Sequence, residues 1–86
     1  MSPTVGSVGG VTLVIWPDDH DPPHVHAIYG TPNTPGVRQS RIAIQTGNVI
    51  DKPSARALPV GKLRQAQEWI AENQDELHAR WQQLQT

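Results

Sequence analysis

The chain contains no cysteine. That excludes a disulfide framework and any thiolate metal site, and it fits a reducing compartment. No apolar run is long enough to span a bilayer. The N-terminus lacks a basic segment followed by a long apolar one, so the expectation is a cytoplasmic protein without a membrane partner. The formal net charge is only −1, too little for a strong overall grip on nucleic acid, though a local basic patch stays open. There is no repeat at a solenoid period and no low-complexity block. The GxxxxGK[ST] phosphate loop and the dinucleotide fingerprint are both missing. No Ser or Cys stands in a recognisable nucleophile setting. A length of 86 residues predicts one domain with one core, burying about 60–65% of its unfolded surface.

What the chain does have is one stretch of concentrated chemistry, Asp18-Asp19-His20-Asp21-Pro22-Pro23-His24-Val25-His26. It holds three of the four histidines and three of the eight acids. The elements around it follow from pattern. Residues 1–9 are small and polar, rich in Gly and Pro, and read as irregular. Val11 to Trp16 is the clearest strand, dense in β-branched residues, with Val11, Leu13 and Ile15 on one face. Pro17 ends it, because proline donates nothing to a ladder. Pro22-Pro23 stiffens the entry to a second strand, His24 to Tyr29. Val25, Ala27 and Tyr29 share one face there; His24, His26 and Ile28 share the other. Residues 30–36 form a loop by composition. A third strand is predicted over Arg38–Thr46, with Ile42 and Ile44 inward and Arg41 outward. Gly47-Asn48 reads as a two-residue hairpin turn into a short return, Val49–Asp51.

Pro59 suits the first turn of a helix. Leu63, Ala66, Ile70, Leu77, Trp81 and Leu84 then form one stripe at 3.6-residue spacing, with Trp69 at its edge. Asn73-Gln74-Asp75-Glu76 resembles a capping box, so a kink or split is expected near Asn73 with both halves on the same core. The predicted architecture is α+β: an antiparallel sheet of three or four strands over residues 10–51, and helix over residues 59–84 packed on one face. This leaves Trp16, His24, His26 and Arg41 on the uncovered face or near the strand ends.

Two histidines at i and i+2 on a strand point the same way, about 6–7 Å apart at Cα. They could converge on a divalent transition metal such as zinc, with Asp19 or His20 as further ligands. They could instead serve as acid and base on a phosphodiester, with Arg41 holding the phosphate. They could form a partner surface, or simply cap the loop and bond the backbone. Trp69 and Trp81 read as core anchors, His78 as a boundary residue on the helix, and Trp16 as a sheet-edge residue able to stack on a base.

The string Asp19-His20-Asp21-Pro22-Pro23-His24-Val25-His26, continuing to Tyr29-Gly30, resembles the signature of a small bacterial family, the domain of unknown function 4160. The likeness continues through Leu58-Pro59, Trp69, Glu76-Leu77 and Trp81. One departure is the loop Thr31–Gln39, longer than the tight turn usual after Tyr-Gly. The resemblance implies a small cytoplasmic protein whose gene often sits beside one for the domain of unknown function 2442, in pairs suggested to be toxin–antitoxin modules. The expected function is therefore a toxin-like component with its surface at His20, His24 and His26. An RNA-cleaving or metal-dependent phosphodiesterase activity is one form of it. A non-enzymatic interaction module and a small His-based metal-binding protein are the alternatives. The expected partners are a small cognate protein from the adjacent gene, and RNA.

Overall fold

A computed structural model describes residues 4–17, 22–31 and 34–85. Four strands come first: β1 (Thr4–Val8), β2 (Val11–Val14), β3 (His24–Tyr29) and β4 (Arg38–Ala43). Two helices follow, α1 (Val60–Glu72) and α2 (Gln74–Gln85). The strands form one sheet in the order β1-β2-β3-β4, antiparallel throughout. The α+β class and the helical layer are as the sequence pattern predicts.

The N-terminal stretch corrects that pattern. Thr4–Val8 is a strand, not an irregular lead-in. Its turn is Gly9-Gly10, both at positive φ, which brings Val8 opposite Val11. Two left-handed residues give the twist a tight hairpin needs, and glycine takes that conformation without a Cβ penalty. Gly6 has a different reason for being small. A Cβ there would stand 2.3 Å from Cζ2 of Trp69, so the missing side chain is the seat of the indole.

The second correction concerns the hairpin after β4. The strand ends at Ala43 rather than Thr46. Ala43 N–H bonds Asn48 O at 2.9 Å, and Gly47 N–H bonds Ala43 O at 2.9 Å. Residues 44–47 are thus a four-residue loop with Gly47 at φ 76°, not a two-residue turn at Gly47-Asn48. The return pairs as a single bridge, Ile42 with Val49. Farther along, Gln39 N–H bonds Arg56 O at 2.8 Å. The segment from Asn48 to Arg56 therefore follows the outer edge of β4 and covers backbone groups that would otherwise template another strand.

The helical stripe packs as its spacing requires. Ala66 and Ile70 of α1 and Leu77 and Trp81 of α2 are buried. They meet Val11, Leu13, Ile15, Val25, Ala27, Ile42 and Ile44 in one cluster. The break falls at Asn73, with φ −123° and ψ 22°. The expected capping box is made differently: Asn73 Nδ2 donates back to Trp69 O at 2.8 Å, finishing α1. Its carbonyl accepts from Leu77 N–H at 2.9 Å, starting α2. Two glutamines tie the helices to the hairpin loop. Gln67 Nε2 donates to Gly47 O at 2.8 Å and Gln74 Nε2 to Ile44 O at 2.9 Å. No helix among the described residues is long and apolar enough to cross a membrane.

The Gly6–Trp69 seat generates a stability prediction. Gly6→Ala should destabilise the fold by about 1–3 kcal/mol, since an overpacked interior forces ring and backbone to shift. Urea denaturation reads this as a lower midpoint. Trp69→Leu in the same chain should make the two losses less than additive, because the smaller side chain vacates the contested space.

Candidate functional site

Strand alternation builds the site. In β3, Val25 and Ala27 are fully buried against the helices, which sends His24, His26 and Ile28 to the other side. Register then sets their neighbours. His26 lies opposite Val14 of β2 and opposite Arg41 of β4. Trp16, two residues beyond the end of β2, is 45% exposed. Its ring meets the His26 ring edge-on, with centroids 6.3 Å apart.

The two imidazoles do come together, with centroids 5.0 Å apart. They do not share an exposed face, however. His26 is half-buried, whereas His24 is only 3% exposed. The cause is the C-terminal helix. Trp81 of α2 stands 5.3 Å from the His24 ring, and Gln85 Nε2 donates to Trp16 O at 3.0 Å. The end of α2 thus reaches the corner where β3 begins and covers its first side chain. His24 lies between Trp81 and His26, so the expectation of two open histidines is corrected to one accessible ring backed by a buried one.

His24 is also held by main chain. Its Nδ1 is 2.8 Å from Pro22 O. A carbonyl can only accept, so Nδ1 is the donor, and in the neutral form of the ring the lone pair is on Nε2.

Arg41 adds positive charge beside His26, and Asp51 holds it. The Asp51 carboxylate accepts from Arg41 N–H at 2.9 Å and from Nε at 2.5 Å. One bond fixes the main chain at the outer edge of β4; the other aims the guanidinium. Arg41 presents further N–H donors on its two terminal nitrogens, and its side chain is 46% exposed. Partial burial alone would push the Asp51 carboxyl up. The side-chain and main-chain bonds from Arg41, its charge and that of His26 outweigh this, and the carboxyl titrates below its ordinary range.

Of the residues predicted for the site, His26 and Arg41 stand together on the open face and His24 is buried beside them. Asp19 and His20 lie outside the described residues. Among the described residues no group of three or more His, Cys, Asp or Glu could hold a metal ion. Two contributors were not anticipated. Asp51 reads in the sequence as part of a short return strand. The signal available was that it is the one acid between residues 38 and 56, a stretch carrying Arg38, Arg41, Lys52 and Arg56. Trp81 reads as a core anchor, which it is, yet it also covers His24.

The linkage at Asp51 has a sign. A carboxylate whose folded pKa is depressed stabilises the fold above its unfolded pKa, and the gain is lost as pH falls through the folded value. Asp51→Asn should therefore be less stable than wild type at neutral pH, by up to about 1 kcal/mol for so exposed a pair. The gap should close from about pH 4 downward. Chemical denaturation of both proteins across that range checks it; a gap independent of pH would remove the ionic account.

Residues 10–82 match one family model, the Domain of unknown function (DUF4160). No curated protein and no solved structure matches the chain.

Proposed function

We propose, for a chain that belongs to the DUF4160 family, that it is a toxin-like component of a bacterial two-gene module and acts in the cytoplasm on RNA through the open face of its sheet. The observation that carries this reading is the placement of His26. Its accessible imidazole stands on the open face, opposite Arg41, beside the exposed Trp16. Imidazole is the side chain suited to moving a proton near neutral pH. A guanidinium can hold a phosphate in a fork of N–H bonds, and an exposed indole offers a stacking plane for a base.

In this reading His26 takes the proton of a ribose 2′-hydroxyl. The O2′–P bond forms and the P–O5′ bond breaks. The leaving oxygen takes a proton from water, giving a 2′,3′-cyclic phosphate and a 5′-hydroxyl. Arg41 faces the charge gathering on the phosphate oxygens. Asp51 and His24 are positioning residues: one aims the guanidinium, and the other backs the His26 ring. The low net charge is not an obstacle once its distribution is considered. Residues 38–56 carry four cations against one acid, and Arg41 among them stands opposite His26.

Induced expression in a bacterial host tests the reading. Wild type should arrest growth and fragment RNA, and the product of the adjacent gene should co-purify with it and relieve the arrest. His26→Ala should lower cleavage by about 10²–10⁴-fold, the usual contribution of a positioned general base, with its melting curve retained. Arrest that persists undiminished in that variant would sink the catalytic reading and leave a non-enzymatic docking module.

One observation favours a second reading. A histidine whose Nδ1–H is fixed on a main-chain carbonyl, as His24 is on Pro22, has the arrangement common to metal-ligating imidazoles. Zinc or a similar ion held by His24 and His26, with Asp19 or His20 as further ligands, would make the activity metal-dependent. Elemental analysis of untagged protein decides: wild type should carry near-stoichiometric metal that the His24→Ala, His26→Ala double variant lacks. Background levels in wild type would end this reading.

A further inference from the structure

The open face is not flat. Between β1 and the segment beyond β4 it is hollowed into a groove of about 950 Å³. Thr12 and Val14 of β2 and Ile28 of β3 lie along it, Trp16 lines one part, and Arg38 and Arg56 line another. The volume lies at the upper end of the range of about 300–1,000 Å³ common for ligand sites.

Three features bear on what it holds. The first is continuity with His26. Val14 is the register partner of His26, and Thr12 that of Ile28, while Trp16 both lines the groove and touches the His26 ring. The second is charge. No Asp or Glu is among the lining residues, and among the described residues neither Arg38 nor Arg56 takes part in an ion pair. The third is the chemistry of the walls. One exposed indole, threonine hydroxyls and the amide of Gln39 accompany the arginines. An anionic chain with flat, hydrogen-bonding side groups meets each of these; an aliphatic peptide would leave the arginines and hydroxyls unused. A cation-lined trough with an aromatic plane is how proteins take single strands without reading their sequence.

We propose that this groove is a binding track for single-stranded RNA. One base stacks on Trp16, which sets the adjoining phosphodiester at His26 and Arg41. The strand continues past Thr12 and Ile28, and a phosphate one or two nucleotides away is met by the arginines. The inference rests on the RNA reading of the His26 site and adds to it a substrate class, unpaired RNA, and a second anion contact remote from the reacting bond.

Fluorescence anisotropy with a labelled eight-nucleotide oligouridylate tests it, using the full chain and, to prevent turnover, the His26→Ala background. Arg56→Glu should weaken binding at least tenfold and lower the slope of log affinity against log salt by about one. Arg56→Lys should restore most of both. Trp16→Ala should weaken binding at least fivefold. An eight-base-pair duplex should bind at least tenfold more weakly than the single strand.

Unchanged oligonucleotide affinity in both Arg56→Glu and Trp16→Ala, with folding verified by circular dichroism, would overturn the track. So would a wild-type chain that ignores the oligonucleotide but binds a labelled acidic peptide through the same residues. The parent reading fails separately. If oligouridylate binding depends on Arg56 and Trp16 while cleavage is untouched by His26→Ala, the track stands and the acid–base assignment falls. If cleavage requires His26 but proceeds with unaltered KM in Arg56→Glu, the assignment stands and the track falls.

Discussion

Everything about this molecule depends on the burial of alternate residues of β3. Val25 and Ala27 are wholly inside, pressed between the sheet and the stripe formed by Ala66, Ile70, Leu77 and Trp81. A strand has a side-chain period of two, so fixing those two fixes the rest. His26 must point away from the helices and must face Arg41 across the ladder. A slip of one residue would put an imidazole into the core and expose a valine, and the apolar contacts with both helices would be lost together. Site geometry and core packing are therefore consequences of a single register.

The same packing separates the roles of the two histidines. Alternation alone treats His24 and His26 as equivalent. They differ because β3 begins at a corner of the sheet, and α2 is long enough to reach that corner. Trp81 meets His24 there, and Gln85 bonds the carbonyl of Trp16 just beyond it. Without the Trp81 ring in that place, the first side chain of β3 would lose its cover. One ring backed by another is a different device from two rings facing solvent. The buried one is restrained by Pro22 O and limits how the accessible one can turn.

The strands β2 and β3, the helical stripe and the break at Asn73 were legible in the sequence because each rests on local pattern. Hydrophobic period, β-branched density and proline position all act within a few residues. What was not legible depends on partners far along the chain. β1 carries little strand propensity in Gly6 and Ser7; it pairs because Gly9-Gly10 turns it back and Trp69 needs the room at Gly6. The loop at residues 44–47 is not legible because Gly47-Asn48 has the composition of a two-residue turn. Its carbonyls are instead claimed by Gln67 and Gln74, roughly 20 or 30 residues away. At the site, His26 and Arg41 could be placed on one face by period alone. The burial of His24 could not, since it depends on where α2 ends.

Charge is divided along the chain as well. The helices carry Glu68, Glu72, Asp75 and Glu76 against Lys62, Arg64 and Arg80, whereas residues 38–56 carry Arg38, Arg41, Lys52 and Arg56 against Asp51 alone. A net charge of −1 conceals this separation, because it sums over segments of opposite sign. The single acid of the basic segment is bound to the guanidinium beside His26. It therefore neutralises one cation while orienting it, and it leaves Arg38 and Arg56 to the groove. Fold stability comes from the inner face, where the chain is apolar. The outer face keeps Arg41 and Trp16 exposed although they contribute little to the core. The two faces are joined at His24, which belongs to the outer face by alternation yet packs on Trp81 of the core. Substitution of Trp16, exposed and outside the core cluster, can report on binding rather than on folding.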